Sequence, residues 1–183
     1  MSFHDLEVDP ETHLCRKYRG AAQRDEVLGP YVAEGLQAGH TCCVAVSDHN
    51  PDRVQSLARG DWPSQLIVRT AGDQEFTKDN FDIDEILACW DTTVRTALDD
   101  HGAPFVRLSA EATWRLTQLP PVADLLDYEV HLNDFAASHP QSILGLYDID
   151  ELGSGVVFEA MKVHPRIWLS GLVLENPFHE RAG

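Results

Sequence analysis

The chain has 183 residues and a formal net charge of −16, because 30 acidic side chains stand against 14 basic ones. Phosphate binding depends on clusters of lysine and arginine, so this balance argues against nucleic acids and anionic membranes as partners. The apolar fraction of 43% is ordinary for a globular protein, and the length suits a single domain. We expect this domain at 13–178, between an N-terminal lead-in at 1–12 and a C-terminal tail at 179–183.

The start of the chain and its cysteines narrow the class of protein further. MSFHDLEVDPETH is too polar for a signal peptide, and no apolar run approaches the ~20 residues that span a bilayer, so we expect a cytoplasmic protein. The cysteines Cys15, Cys42, Cys43 and Cys89 form no Cys-x-x-Cys pair and no disulfide framework. Cys42 and Cys43 are adjacent in a strand-like run, so their side chains should point to opposite faces of a sheet. We expect buried, reduced thiols, and neither a metal nor a cofactor.

Hydrophobic periodicity predicts strands and helices in regular alternation. The predicted strands are 13–18, 41–47, 65–70, 105–109 and 142–148, followed by a last strand or hairpin at 166–177. The predicted helices are 22–36, 53–59, 83–101, 110–116, 122–138 and 154–164. Pro30 suggests a kink or a late start in the first helix, and Asp82 is placed to cap the third one. This alternation predicts an α/β fold with a mostly parallel sheet and helices on both faces.

Ligands of open parallel sheets collect at the carboxyl ends of the strands, so polar residues there are candidates for a site. Arg107 lies within an apolar strand, and Glu111 lies two residues past its predicted end. A buried arginine must pair or meet an anion, because burying a lone charge costs several kcal/mol. Either Arg107 forms an ion pair with Glu111 or Glu129, or it binds a ligand.

Two helical segments add possible pocket walls. Trp114 follows Glu111 by about one helical turn, so both could share a face, and tryptophan is also an ordinary core residue. On the helix 122–138, Tyr128 and Glu129, with Asn133 one turn later, either line a cavity or meet solvent.

Three further residues have a local and a functional interpretation. Asp148 ends a strand, where it could position magnesium or cap the next turn. His164 stands at a helix end, where it could favour the helix dipole or act as a general base. His13 could reach the floor of a pocket or be a hydrogen-bonded core histidine. No Gly-x-Ser-x-Gly, His-Glu-x-x-His or Gly-x-Gly-x-x-Gly motif is present, so we expect no enzymatic activity.

Several short stretches become informative when they are taken together and in order. They are HLCRKYRG, EGLQAGHTCCVAV, VRLSAEATW, DYEVHLN, LGLYDID, KVHP and ENP. In this order they resemble the MEDS family, the methanogen/methylotroph sensory domain, over residues 12–178. The resemblance implies a three-layer RecA-like fold, related to P-loop NTPases, with degenerate nucleotide motifs. It also implies a role in sensing simple hydrocarbon derivatives or other small organic molecules, in transcription regulators and sensor proteins.

In a RecA-like arrangement, the phosphate loop would lie at RGAAQRD, directly after the first strand. A working loop needs inward-facing backbone N–H groups, a lysine and a hydroxyl for magnesium. Arg19 or Arg24 could replace the lysine, but nothing replaces the hydroxyl, so we expect that nucleotide hydrolysis has been lost.

The resemblance, together with position and chemistry, yields one set of candidate ligand-binding residues. They are His13, Arg19, Arg107, Glu111, Trp114, Tyr128, Glu129, Asn133, Tyr147, Asp148 and His164. The leading hypothesis is a non-catalytic sensory module that binds a small organic molecule and signals to a separate protein partner. The alternatives are an adaptor whose acidic face binds a basic partner, and a residual nucleotide-dependent enzyme that uses Arg19 or Arg24 with Asp148.

Overall fold

The computed structural model describes residues 10–47, 51–58, 60–62, 64–70, 81–112, 121–169 and 172–179. Several sequence predictions lie wholly or partly outside the described residues. These are most of the lead-in at 1–12 and of the tail at 179–183, and the part of the helix at 110–116 that follows residue 112, including Trp114.

The strands and helices alternate almost as the sequence predicts. The strands are β1 (Thr12–Tyr18), β2 (Thr41–Val46), β3 (Leu66–Thr70), β4 (Val106–Glu111), β5 (Gln141–Asp148), β6 (Arg166–Leu169) and β7 (Leu172–Glu175). The helices are α1 (Gly20–Gln37), α2 (Pro51–Leu57), α3 (Ile83–Arg95), α4 (Val122–Ala136), α5 (Ile149–Leu152) and α6 (Ser154–Val163), and a π-helical turn (Thr96–Asp100) continues α3. The short helix α5 is the addition to the predicted elements.

The described strands form one sheet in the order β3-β2-β4-β5-β1-β6-β7. Every neighbouring pair is parallel except β6 and β7, which form an antiparallel hairpin. The α/β class, the mostly parallel sheet and the terminal hairpin are therefore confirmed. β1 lies between β5 and β6, so residues near the start of the chain meet residues from its last third.

Helices cover both faces of the sheet and make a three-layer structure. On one face, named the α1 face, Leu28 and Tyr31 of α1 pack with Val54 of α2 against Val44 and Leu146 of the sheet. The opposite face, the α4 face, is covered by α3, α4 and α6. Burial of both faces explains why β2 is a continuous apolar run.

The adjacent cysteines confirm the alternation expected of a strand. Cys42 belongs to the core of the α1 face and Cys43 to that of the α4 face. Both are free thiols, and burial raises the pKa of each to about 12. These side chains therefore act as small apolar core residues rather than as reactive thiolates.

Helix boundaries test two predictions made from single residues. The Asp82 side chain accepts a hydrogen bond from the Glu85 backbone N–H at 3.1 Å, so the predicted cap of α3 is confirmed. Pro30 lies inside α1, which nevertheless starts at Gly20, so the predicted late start is wrong. Pro30 lacks one backbone donor, and the packing of the helix against the sheet tolerates this loss.

The largest difference from the sequence prediction concerns the end of β4. The strand continues to Glu111, so the prediction that it ends at 109 and that a helix begins at Ala110 is wrong. Because side chains alternate along a strand, Arg107 and Glu111 both belong to the α1 face. This register separates them from the polar residues of α4, which lie on the other side of the sheet.

Candidate functional site

The candidate residues fall into two groups on opposite faces of the sheet. Arg19, Arg107, Glu111 and Asp148 lie on the side of α1. His13, Tyr128, Glu129, Asn133, Tyr147 and His164 lie on the side of α4 and α6. Trp114 is outside the described residues, so its expected place beside Glu111 stays a prediction.

On the α1 face, the Glu111 carboxylate is the centre of a buried polar cluster, the Glu111 cluster, with Tyr18, Arg24 and Ser47. Oε1 accepts hydrogen bonds from the Tyr18 hydroxyl at 2.8 Å and from Arg24 Nη1 at 3.1 Å. Oε2 accepts from the Ser47 backbone N–H and hydroxyl. Burial, reinforced by the charge of Glu111, raises the pKa of Tyr18, which stays a protonated donor. Every carboxylate oxygen is used, so this acid offers little to a ligand.

Charged side chains extend the Glu111 cluster toward the surface. Arg24 also forms an ion pair with Asp25 at 2.9 Å, and Asp25 pairs with Arg53. The chain of alternating charges explains how Arg24 can be almost fully buried, since a buried cation needs partners.

Arg107 makes none of the ion pairs that its position in the sequence predicts. Its Nη1 donates to the Tyr31 carbonyl at 2.9 Å, its Nε donates to His40 Nδ1 at 3.2 Å, and the guanidinium lies over the Tyr31 ring. The predicted pairing with Glu111 or Glu129 is therefore wrong, because Glu111 binds other partners and Glu129 lies on the opposite face of the sheet. The close approach depends on Gly35, where a Cβ atom would lie 2.6 Å from Arg107 Cδ.

The position expected for a phosphate loop contains a carboxylate of the protein itself. Gly20, at φ 64°, donates its backbone N–H to Asp148 Oδ2 at 3.1 Å. The other oxygen of Asp148 accepts from the Asp150 N–H at 2.9 Å, so the expected capping role of Asp148 is the one observed. Arg19 forms an exposed ion pair with Asp150 at 2.7 Å. An internal anion thus occupies the start of α1, where a bound phosphate would compete with it.

On the α4 face, two histidines and a carboxylate converge in what we name the His–Glu–His cluster: His13 of β1, Glu129 of α4 and His164 after α6. Glu129 Oε2 lies 3.5 Å from His13 Nε2 and 3.4 Å from His164 Nε2. All three side chains are almost fully buried, and the two imidazole centroids are 4.2 Å apart. The strand order brings them together, because β1 is the neighbour of β6 and contacts both α4 and α6.

Hydrogen bonds fix the orientation of both imidazoles. The Asn133 side-chain amide donates to the Val163 carbonyl at 2.9 Å, which directs its oxygen toward His13 Nδ1 at 2.8 Å. His13 Nδ1 therefore carries the proton. His164 Nδ1 donates to the Ala160 carbonyl at 2.7 Å. Both Nε2 atoms consequently face the carboxylate of Glu129.

Burial and neighbouring groups shift the pKa values of two residues in the His–Glu–His cluster. Burial lowers the pKa of His13 to about 3, with help from the charge of His164, so this ring is neutral. Burial alone would raise the pKa of Glu129, but the two nearby imidazoles, His164 above all, outweigh it and lower that pKa. Burial and the neighbouring Glu129 raise the pKa of Tyr147, whose hydroxyl lies 3.3 Å from His164 Nε2. The expected helix-dipole role of His164 is only part of its environment, since its other nitrogen faces this acid.

An apolar cavity of about 30 Å³ adjoins the His–Glu–His cluster and extends to Glu111 and Ala112 at the carboxyl end of β4. Its apolar walls include Trp90, Leu108, Leu125, Tyr128, Leu132 and Ile143. Glu129 and Tyr147 form part of the lining that the cavity shares with the His–Glu–His cluster. The volume accommodates a molecule of a few non-hydrogen atoms, because one water requires roughly 10–15 Å³.

Comparison with models of known protein families shows to which family the chain belongs. The model of the family described as "MEthanogen/methylotroph, DcmR Sensory domain" matches residues 12–165. The chain belongs to the MEDS family. A search of curated proteins returns no match to it. Within the described residues, none of the helices of this MEDS domain is long and apolar enough to cross a membrane.

Sequence reasoning selected all three residues of the His–Glu–His cluster in this MEDS domain, and Tyr128 of the cavity wall, but missed Trp90. Trp90 lies on α3, and the helical spacing of Ile86, Trp90 and Val94 is the signal that marks its buried face. Tyr18 and Ser47 were also missed as partners of Glu111. Both stand at the carboxyl ends of strands, which is the signal that could have identified them.

Proposed function

We propose that this MEDS domain is a non-catalytic sensor that binds a small organic molecule in the cavity beneath α3 and α4. The observation that supports this best is an apolar cavity whose lining includes a few polar groups, among them Glu129 and Tyr147. Such a composition suits a simple hydrocarbon derivative, since the walls bind the alkyl part and the polar groups orient its heteroatom. The small volume restricts the ligand to very short molecules.

The start of α1 argues against a nucleotide as the ligand. Asp148 accepts the Gly20 N–H at the position where the sequence predicts a phosphate loop, and Arg24 is already bound to Glu111. A triphosphate would have to displace an internal carboxylate and meet like charge from it. A residual nucleotide-dependent activity is therefore disfavoured by the arrangement of these residues.

Titration with primary alcohols of one to six carbons tests the proposal. We expect isothermal titration calorimetry to detect binding for the shortest members, with an abrupt loss once the chain exceeds the cavity. The variant Ala110→Leu fills the cavity from the floor of the sheet, because Ala110 lines it. We expect this variant to remain folded and to lose binding.

The matched control introduces the same side chain elsewhere. Ala123→Leu lies on the exposed side of α4 and should bind the alcohols as the unmodified protein does. Equal binding by the two variants would show that the alcohols occupy a different site. No binding by any protein at any chain length would remove the support for an apolar sensor.

The signal to a partner is assigned, in this proposal, to the terminal hairpin. In the described sheet, β7 pairs only with β6, and its Leu172 and Leu174 are 63% and 44% exposed. Exposed leucines beside an unpaired strand edge favour a protein contact. The same observation supports the second candidate function, an adaptor that needs no ligand.

Affinity capture with the paired variant Leu172→Lys, Leu174→Lys tests this contact. Quantitative mass spectrometry should show a partner retained by the unmodified protein and by the control Val122→Lys, but lost by the paired variant. Val122 is a suitable control because it is also exposed and apolar, at 41%. If the alcohols leave the amount of captured partner unchanged, the adaptor function is favoured over the sensor. Equal capture by both variants would exclude the hairpin.

A further inference from the structure

We propose that His13, Glu129 and His164 form a binding site for a divalent transition-metal ion of the Zn²⁺ class. The sequence has no metal motif because these residues are far apart in the chain, and the fold brings them together. The inference goes beyond the proposed sensory function and does not depend on it. Its basis is the geometry of the His–Glu–His cluster and the orientation of its nitrogens.

The distances suit a single ion shared by all three side chains. Metal–ligand bonds of about 2.0–2.1 Å in a tetrahedral site place neighbouring ligand atoms about 3.3 Å apart. Glu129 Oε2 is 3.5 Å from His13 Nε2 and 3.4 Å from His164 Nε2. One ligand atom from each residue lies within 4.8 Å of the others, so small side-chain rotations complete the set.

The orientation of the ligand atoms is the second observation. His13 Nε2 and Glu129 Oε2 are buried without a hydrogen-bond partner among the residues that the structure describes. The Nδ1 protons of both histidines are bound to Asn133 and to the Ala160 carbonyl. Both Nε2 atoms face the Glu129 carboxylate, and Nε2 of His164 also lies 3.3 Å from the Tyr147 hydroxyl. Three ligand atoms therefore lie close together, an arrangement that a bound cation stabilises.

The outer contacts are those that hold histidine ligands in metalloproteins. Such a histidine donates its other ring N–H to an amide, carbonyl or carboxylate, which fixes the ring and its tautomer. The Asn133 oxygen does this for His13, and the Val163 carbonyl in turn fixes the Asn133 amide. The Ala160 carbonyl does it for His164.

Gly145 keeps the space beside the proposed ion open. It lies in β5, where a Cβ atom would be 3.0 Å from the Tyr147 ring and 3.4 Å from His164 Nε2. A glycine inside a strand often marks such a close approach. Because Gly145, Tyr147 and Glu129 also line the apolar cavity, a fourth coordination position could be reached from there.

The donor set selects the class of ion. Two imidazole nitrogens and one carboxylate oxygen suit Zn²⁺, Co²⁺ and Fe²⁺, whereas Ca²⁺ and Mg²⁺ prefer sites made of oxygen alone. Burial of the carboxylate favours a cation further, since an unpaired buried charge is costly. Zn²⁺ serves as the probe of affinity and Co²⁺ as the spectroscopic probe.

The test uses the full chain without an affinity tag. After treatment with a chelator, we expect one equivalent of Zn²⁺ to bind in calorimetry, and Co²⁺ to give visible absorption bands of a four- or five-coordinate site. Glu129→Gln keeps the shape of the side chain and should weaken Zn²⁺ binding at least about ten-fold, the scale on which even outer contacts act. Asp91→Asn is the matched control, since it removes a carboxylate 2.8 Å from another histidine, His139.

A second measurement uses the unmodified protein, so it does not depend on whether Glu129→Gln folds. Long-range ¹H–¹⁵N NMR reports the lone pair on each histidine Nε2, and Zn²⁺ should shift two of these signals together. If Zn²⁺ shifts no pair of Nε2 signals, or if Asp91→Asn weakens binding as much as Glu129→Gln, the proposal is overturned. In that case the cluster is a buried arrangement of acceptors that holds a proton. The metal assays contain no alcohol, so this result would not bear on the sensory proposal, which the alcohol titration tests separately.

Discussion

The Glu111 cluster and the His–Glu–His cluster place one buried glutamate on each face of the same sheet, in opposite states. Glu111 accepts hydrogen bonds on both oxygens, from Tyr18, Arg24 and Ser47. Glu129 has one buried oxygen without a partner within the part of the chain that the structure describes.

This difference separates a carboxylate that stabilises the fold from one that is available for binding. A saturated carboxylate beside a buried arginine is part of the structure, because removing it leaves donors without an acceptor. An unsaturated one retains free energy of interaction for a ligand, an ion or a proton. The two clusters should therefore respond differently to substitution and to metal ions.

Glu111→Ala should lower the free energy of unfolding by about 3–5 kcal/mol, the usual effect of breaking a buried ion pair. Both side chains of the Glu111–Arg24 pair are only 3% exposed, so water cannot replace the lost acceptor. Urea denaturation followed by circular dichroism measures the change. The control Asp150→Ala breaks an ion pair with Arg19 that is 60% exposed on each side and should cost less than about 1 kcal/mol. Similar losses of stability in Glu111→Ala and Asp150→Ala would contradict the structural role assigned to the buried Glu111 carboxylate.

We expect the His–Glu–His cluster to change the stability of the protein mainly when a metal ion is bound to it. In the presence of a chelator, Glu129→Gln should change stability less than Glu111→Ala does, because Oε2 loses no hydrogen bond to a described residue. Free Zn²⁺ at 100 times its dissociation constant should then add about 2.7 kcal/mol to the unmodified protein. Thermal denaturation with and without Zn²⁺ measures the gain. A gain of the same size in Glu129→Gln would assign Zn²⁺ to another site.

The Asp148 carboxylate at the start of α1 should make a moderate contribution to the free energy of unfolding. Asp148→Ala removes the acceptor of the Gly20 and Asp150 N–H groups and should cost about 1 kcal/mol, as the loss of a helix cap does. Asp134→Ala, an exposed carboxylate on α4, should be nearly neutral and is the control. Urea denaturation compares the two. Tight binding of Mg·ATP to Asp148→Ala alone would show that the position can still accept a phosphate.

The smallest expected effect is a pH dependence on the α1 face. Burial, together with the charge of Arg107, lowers the pKa of His40 below its ordinary value of 6.5. The unfolded chain therefore binds this proton more readily, so the contribution of neutral His40 is complete above pH 6.5 and declines as the pH falls below it. His40→Gln should lose stability less steeply than the unmodified protein between pH 6.5 and 5. Identical slopes in denaturant titrations would exclude His40 as a cause.

Part of the candidate site could be predicted because the polar residues stand out against apolar strands and helices. His13, Glu129, Asn133 and His164 were all selected from the sequence, and the structure brings them together. Their proximity could not be predicted, since His13, the Glu129–Asn133 pair and His164 belong to three separate parts of the chain. The mistaken pairing of Arg107 has a simpler cause: β4 continues two residues past its predicted end, and Glu111 is bound by Tyr18, Arg24 and Ser47 instead.

Local patterns in the sequence were enough to predict the α/β class, the order of the elements and the burial of β2, because apolar periodicity is a local property of the chain. Short stretches spread over most of the chain were also enough to predict the family. Which of the two acids is saturated depends instead on the tertiary fold. That outcome depends on the face to which each side chain points and on the insertion of β1 between β5 and β6, which local periodicity does not contain.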